Sequence, residues 1–138
     1  MTRALLALVT LVLLPVPVGA EHEVFYRYTV IGFVRDATGA PVADQALEVV
    51  RDKTEFSYLA RTDESGLYLL ITRLGDESAG ESLTLKYGAA SLRLTARFDP
   101  ANHTEERGTR VDVEAGRFVE RPGSFRSTLT QYLGSAQR

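Results

Sequence analysis

The chain has 138 residues, 16 basic and 18 acidic side chains, a formal net charge of −2 and no cysteine. Cysteine nucleophiles, thiolate metal sites and disulfides are thereby excluded, so any exported form is held by packing alone. The slight acidic balance argues against a nucleic-acid binder, which shows a basic excess or a clustered basic face.

Residues 1–20 read as a signal peptide. Met1-Thr2-Arg3 is a short basic start, and residues 4–14 are apolar except for Thr10. Pro15 and Pro17 end the run, and Val18-Gly19-Ala20 sets small residues before a cut predicted after Ala20. The apolar run is shorter than the roughly 20 residues a spanning helix needs, and no later stretch is long enough. The expected mature protein is exported, to the periplasm or beyond the cell, with no transmembrane segment. Its size suits one domain of roughly 100–150 residues.

From residue 25 onward apolar and polar residues alternate, the signature of strands whose side chains point to opposite faces in turn. The first strand, 25–35, puts Val30, Gly32 and Val34 on one face and Ile31 and Phe33 on the other. Both faces are apolar in the middle, which predicts cover on both sides or an edge contact. Asp36-Ala37-Thr38-Gly39-Ala40-Pro41 is a turn, since Asp bonds its own downstream backbone, Gly allows positive φ and Pro ends the ladder. The second strand, 45–53, turns Leu47 and Val49 inward, and a third spans 56–62. Asp63-Glu64-Ser65-Gly66 is the next turn, and the nearly continuous apolar run 67–74 reads as a central strand.

A polar loop, 75–82, leads to the cleanest alternation. Leu83, Leu85 and Tyr87 face in, Gly88-Ala89-Ala90 turns the chain, and Leu92, Leu94, Ala96 and Phe98 face in again, with Thr84, Lys86, Arg93, Thr95 and Arg97 outward. This is a hairpin. After a polar loop at 100–108, Val111, Val113 and Ala115 mark a seventh strand, with Arg110, Asp112 and Glu114 outward. Seven short strands with turn signals between them predict an all-β sandwich over residues 21–116. Residues 117–138 form a tail expected to be partly ordered. Phe125, Leu129, Tyr132 and Leu133 fit one helical face with Ser124 as its cap, while the Ser and Thr content also fits a strand.

The spacing Val30-x-Gly32-x-Val34-x-Asp36-x-x-Gly39-x-Pro41-Val42, then Leu47 and Val49, then Thr62-Asp63-x-x-Gly66-x-Tyr68, resembles the carboxypeptidase regulatory-like domain. Gln45 stands where that family usually has a small residue. The resemblance implies a seven-stranded, prealbumin-like (transthyretin-like) Greek-key β-sandwich. It also implies a non-catalytic module, because such domains mostly accompany enzymes, transporters or surface proteins.

The same fold includes 5-hydroxyisourate hydrolases, which carry a His just before the first Asp turn and end in Tyr-Arg-Gly-Ser. Here Phe33-Val34-Arg35-Asp36 and Tyr132-Leu133-Gly134-Ser135 stand in those places. Without an imidazole there, no group titrates near neutrality to activate water, and no catalytic residue is assigned. His22 and His103 are the two histidines. His22, second in the mature chain, could hold copper with the free amino terminus and a backbone amide; a loose terminal His is the plainer reading. His103 sits in a polar loop, inside an Asn102-His103-Thr104 glycosylation acceptor pattern. Neither Asp63-Glu64-Ser65-Gly66 nor Asp76-Glu77-Ser78 supplies the six to eight oxygens calcium wants, so no metal or cofactor is assigned, and His22 and His103 stay as the candidate metal ligands.

Two surfaces remain as candidates for partner binding. Lys86, Arg93 and Arg97 share the outer face of the hairpin, where they form a basic patch or simply a solvated face that blocks edge pairing. Phe25, Tyr26 and Tyr28 are interface anchors or seals for the end of the sandwich. The sequence reading is an exported, non-catalytic module that binds a protein, or secondly a carbohydrate. A copper-handling accessory and a hydroxyisourate-hydrolase-like enzyme are the alternatives.

Overall fold

The alternation resolves into strands over residues 26–136, the part of the chain that this computed structural model describes. The predicted signal peptide, His22 and Phe25 lie outside the described residues. In chain order the strands are β1 (Tyr28–Arg35), β2 (Ala46–Arg51), β3 (Phe56–Arg61), β4 (Leu67–Thr72), β5 (Ser82–Tyr87), β6 (Ala90–Thr95), β7 (Gly108–Glu114) and β8 (Arg117–Glu120), followed by one helix, α1 (Phe125–Ala136). They form two four-stranded sheets, ordered β4-β1-β7-β8 and β3-β2-β5-β6. The fold is an all-β sandwich of two sheets. Strand β1 runs antiparallel to β4 and parallel to β7.

Between the sheets lie Tyr28, Val30, Val34, Tyr68, Leu70, Val111 and Val113 from the first sheet. They meet Leu47, Val49, Leu83, Leu85 and Leu94 from the second. Each such side chain taken fully out of water contributes about 1.5–3 kcal/mol, and this layer is the main source of stability. On the other face of the first sheet, Ile31 is fully buried beneath Phe125 and Leu129 of α1, with Leu67, Leu69 and Tyr132 packed around them. The doubly apolar middle of β1 thus has its cover: a sheet on one side and a helix on the other.

Three sequence expectations change. The run 67–74 contains an edge strand, not a central one, because β4 pairs only with β1 in its sheet. Its apolar character comes from the helix that lies over Leu67 and Leu69. Eight strands are described where seven are predicted. Ala115 (φ 50°) and Gly116 (φ 76°) form a two-residue hairpin loop that opens β8 against β7, the positive-φ pair that suits strand twist. The region 117–138, which the sequence leaves between strand, helix and partial order, holds β8, a short 3-10 turn at Pro122–Ser124 and α1 in its described part. Phe125, Leu129 and Tyr132 form the packed face of α1, and Leu133 is half exposed.

Gly32 has a specific task. A Cβ there would lie 1.8 Å from the Val111 carbonyl oxygen and 3.1 Å from the Tyr68 ring. The β1–β7 ladder pauses between the Ile31–Arg110 and Val34–Val113 pairs. In the gap Tyr68 Oη crosses over Gly32 and donates to the Val111 carbonyl at 2.5 Å, while the Phe33 N–H donates to Asp112 Oδ1 at 3.0 Å. Burial pushes the Tyr68 hydroxyl pKa upward, so it remains a donor.

The two Asp turns share one construction. Asp36 Oδ1 accepts from the Thr38 N–H (2.9 Å), Thr38 Oγ1 (2.6 Å) and the Ala40 N–H (3.1 Å). Asp63 Oδ1 accepts from the Ser65 N–H (2.8 Å), Ser65 Oγ (2.6 Å) and the Leu67 N–H (3.0 Å). Each carboxylate is a turn-former that spends one oxygen on its own loop.

Candidate functional site

The Asp36 turn follows the end of β1. At the other end of that strand, the loop 97–108 and the start of α1 enclose a cleft of about 450 Å³ whose walls include Arg97, Phe98, Asn102, Glu105, Arg107 and Arg126. Arg107 is buried, with its guanidinium 4.2 Å above the Phe98 ring. Its Nη2 lies 2.8 Å from Asp76 Oδ1 and donates to the Asn102 carbonyl at 3.2 Å. His103 Nε2 lies 2.9 Å from Asp76 Oδ2. The Arg107 hydrogen bond, followed by that of His103, holds the Asp76 carboxyl below the usual carboxylate range. At the rim Arg126 Nη1 donates to Glu105 Oε1 at 2.9 Å and Asn102 Nδ2 donates to Glu105 Oε2 at 2.9 Å. Arg27 Nε donates to Glu106 Oε2 at 3.0 Å. Asp76, Glu105 and Glu106 each meet a base. The cleft offers hydrogen-bonding groups held in place, and its walls do not include His103 or Tyr132. His103 and Arg107 meet on the Asp76 carboxylate, while Tyr132 packs with Ile31, Phe125 and Leu129 where α1 covers β1.

The other sequence candidates separate. Cross-strand pairing of Thr84 with Arg93 and of Lys86 with Ser91 puts Lys86 and Arg93 on the outer face of the second sheet. Glu48 stands opposite Lys86, and Asp52 Oδ2 is 3.9 Å from Arg93. Asp52 itself accepts from Ser82 Oγ (2.5 Å) and Thr84 Oγ1 (2.7 Å). The expected basic patch is therefore a mixed-charge face, because Glu48 on β2 and Asp52 just after it contribute acids to it. Arg97 leaves that face for the cleft. Tyr28 is not a surface residue. It is buried in the core near Phe98, ring centroids 6.2 Å apart, and burial pushes its hydroxyl pKa up to about 12. Tyr26 is exposed. Among the described residues no group of three or more His, Asp or Glu is placed to hold a metal ion.

Two features escape the sequence reading. The first is a set of exposed apolar side chains, most of them on two edge strands. Phe56 (60% exposed) and Leu59 (75%) on β3, Ile71 (48%) on β4 and Leu133 (49%) on α1 are large hydrophobic side chains left open to solvent. Strands β3 and β4 are the edges of their sheets at the same side of the sandwich, tied where the Arg73 N–H donates to Tyr58 Oη at 3.1 Å. Beside β4, Leu69, Ile71, Leu129 and Leu133, together with Arg27, Thr29 and Glu106, line a groove of about 70 Å³ between β4 and α1.

The second is a buried carboxylate. Asp112 lies on the outer face of β7, as its alternation predicts, yet it is fully buried. Arg110 grips it with Nε (3.0 Å to Oδ1) and Nη2 (2.9 Å to Oδ2), and Arg121 Nη1 bonds Oδ2 from the other side. Burial works against ionisation of Asp112; the Arg110 and Phe33 N–H bonds and the two positive charges outweigh it and hold the carboxyl low. Arg110 Nη1 also donates to Thr128 Oγ1 at 3.0 Å, which ties α1 to the sheet.

No protein-family profile and no curated protein sequence matches the chain. Solved structures to which the chain shows a distant likeness include chlorocatechol 1,2-dioxygenase from Pseudomonas putida, at 15% identity and TM-score 0.40, covering 69% of this chain and 60% of that one. A second is 3-chlorocatechol 1,2-dioxygenase from Rhodococcus opacus 1CP, at 22% identity and TM-score 0.36, covering 63% of this chain and 53% of that one. A third is the dioxygenase domain of a dioxygenase carbohydrate-binding protein fusion from Streptomyces sp. SirexAA-E, at 18% identity and TM-score 0.37, covering 69% and 75%. The chain spans less than two thirds of the length of the first two, and likenesses this distant carry nothing about activity.

Proposed function

We propose that the protein is an exported, non-catalytic β-sandwich module of the carboxypeptidase regulatory-like, prealbumin-like type. It binds a protein partner in the periplasm or outside the cell. The observation that carries this reading is the exposure of Phe56 and Leu59 on β3 and of Ile71 on β4, large apolar side chains on the two edge strands. An exposed apolar group beside two strand edges is costly to leave in water and prone to stray pairing. A partner that covers it removes both costs, and aromatic and aliphatic anchors of this kind form the centres of interfaces. A glycan is the second candidate ligand, and the cleft with Asn102, Glu105 and Arg126 side by side is the place for it.

The test is photo-crosslinking in the producing cell, with benzoylphenylalanine at Leu59 or, as control, at Arg93. The expected result is one defined protein adduct from Leu59 and none from Arg93. That protein, purified, should bind the Leu59→Lys/Ile71→Lys variant at least tenfold more weakly, about 1.4 kcal/mol or more. Equal adducts from both positions, or undiminished binding by the double variant, would contradict the proposal.

A further inference from the structure

Across the first sheet beside α1, the strand register lays out three rows of outward side chains. Ile31 and Arg110 are paired, with the Arg121 N–H donating to the Arg110 carbonyl at 2.7 Å. Phe33 bonds Asp112, which pairs with Val119. Arg35 pairs with Glu114, which pairs with Arg117. Four guanidiniums thus surround Phe33 and the buried Asp112. The face has four positive and two negative groups, on a chain whose formal net charge is −2. Its flanking helix, Phe125–Ala136, adds no acid.

Three of these cations are held in place. Arg35 and Arg110 sit over the Phe33 ring at 5.1 and 5.2 Å from its centroid. Arg121 is fixed by Asp112 and, at 2.9 Å, by Glu114. Anchoring α1 accounts for Arg110 and Arg121. It does not account for Arg35 or for the exposed Arg117, neither of which has an ion-pair partner within 4.0 Å among the described residues. Guanidiniums ordered before binding lose little entropy when they meet a ligand. Their paired N–H groups match carboxylates two at a time, which an ammonium does not do. With strands about 4.8 Å apart, Arg35 and Arg117 stand about 10 Å from one another across two strand spacings. That span matches acidic side chains three residues apart on a polyproline II segment, which return to one face about 9 Å along its axis, and exceeds a single small anion.

We propose that this face, built from Phe33, Arg35, Arg110, Arg117 and Arg121, is a docking site for an acidic peptide segment of a protein partner. It is a second surface, independent of the apolar β3/β4 side, and stands or falls separately from it.

The test is fluorescence anisotropy of the mature protein with a labelled peptide bearing Glu at every third position, against its Gln counterpart. The Glu peptide should bind at least tenfold more tightly than the Gln peptide and be released at 1 M salt, where screening acts within about 3 Å. Arg35→Ala/Arg117→Ala should lower its affinity at least tenfold with an unchanged melting temperature. Lys86→Ala/Arg93→Ala should change it less than twofold. Equal binding of both peptides, or equal losses in the two double variants, would overturn the proposal. So would inorganic phosphate, or vesicles of anionic lipid, binding with the same dependence on Arg35 and Arg117 while the Glu peptide does not.

Discussion

The two sheets bury their inner faces in the same way and differ on the outside. The first carries Ile31, Leu67 and Leu69 outward and receives α1 over them. The second carries Glu48, Ser57, Thr84, Lys86 and Arg93 outward, and no element of the described chain covers it. The contrast shows where secondary packing is encoded. A strand that is apolar on both faces calls for a second layer, whereas a strict alternation, as in β5 and β6, can leave its outer face to water. It also shows that a charged outward residue can have opposite fates. Lys86 stays in solvent, while Asp112 disappears beneath Arg110 and Arg121.

The comparison can be broken by substitution. Asp112→Ala removes the partner of two guanidiniums and of the Phe33 N–H, and is expected to cost about 3–5 kcal/mol in urea unfolding. A cost below about 1 kcal/mol would mean that the first sheet does not depend on its buried carboxylate. Ile31→Ala empties the joint beneath α1 and should cost about 2–5 kcal/mol. Leu59→Ser, on the open face of the second sheet, should change stability by less than about 0.5 kcal/mol. If Ile31→Ala and Leu59→Ser proved equal in thermal unfolding, α1 would not be packed as described.

The second sheet has its own clamped carboxylate. Arg51 Nε and Nη2 grip Glu81 at 2.8 and 2.7 Å, and that hydrogen bonding is the main reason its pKa falls to about 2. A carboxyl depressed in the folded state favours folding above its unfolded pKa of 4.5, and the benefit is lost as pH falls through the folded value. Stability should therefore drop between about pH 4.5 and 2, by up to about 3 kcal/mol from this group. Glu81→Gln should remove that part of the slope; an unchanged acid profile would show the clamp to be idle.

Much of the sandwich is legible along the chain. The two Asp turns, the β5–β6 hairpin and the inward positions of Leu47, Val49, Leu83 and Leu85 follow from local chemistry and period-two alternation. What stays hidden depends on partners far apart in sequence. The meeting of Phe33 with Asp112 needs β1 and β7 to pair in parallel across 79 residues, and alternation does not say which strands neighbour one another. Strand β8 is only four residues long. Leu59 reads as an ordinary outward residue until β3 proves to be an edge beside β4. The basic patch drawn from Lys86 and Arg93 misses Glu48 on β2 and Asp52 just after it.

Binding through the β3/β4 side is tested by hydrogen exchange on the protein with and without its crosslink-identified partner. The account predicts slowed exchange at 56–61 and 67–72 on binding. Protection confined to the 97–108 loop, or none at these two strands, would contradict it.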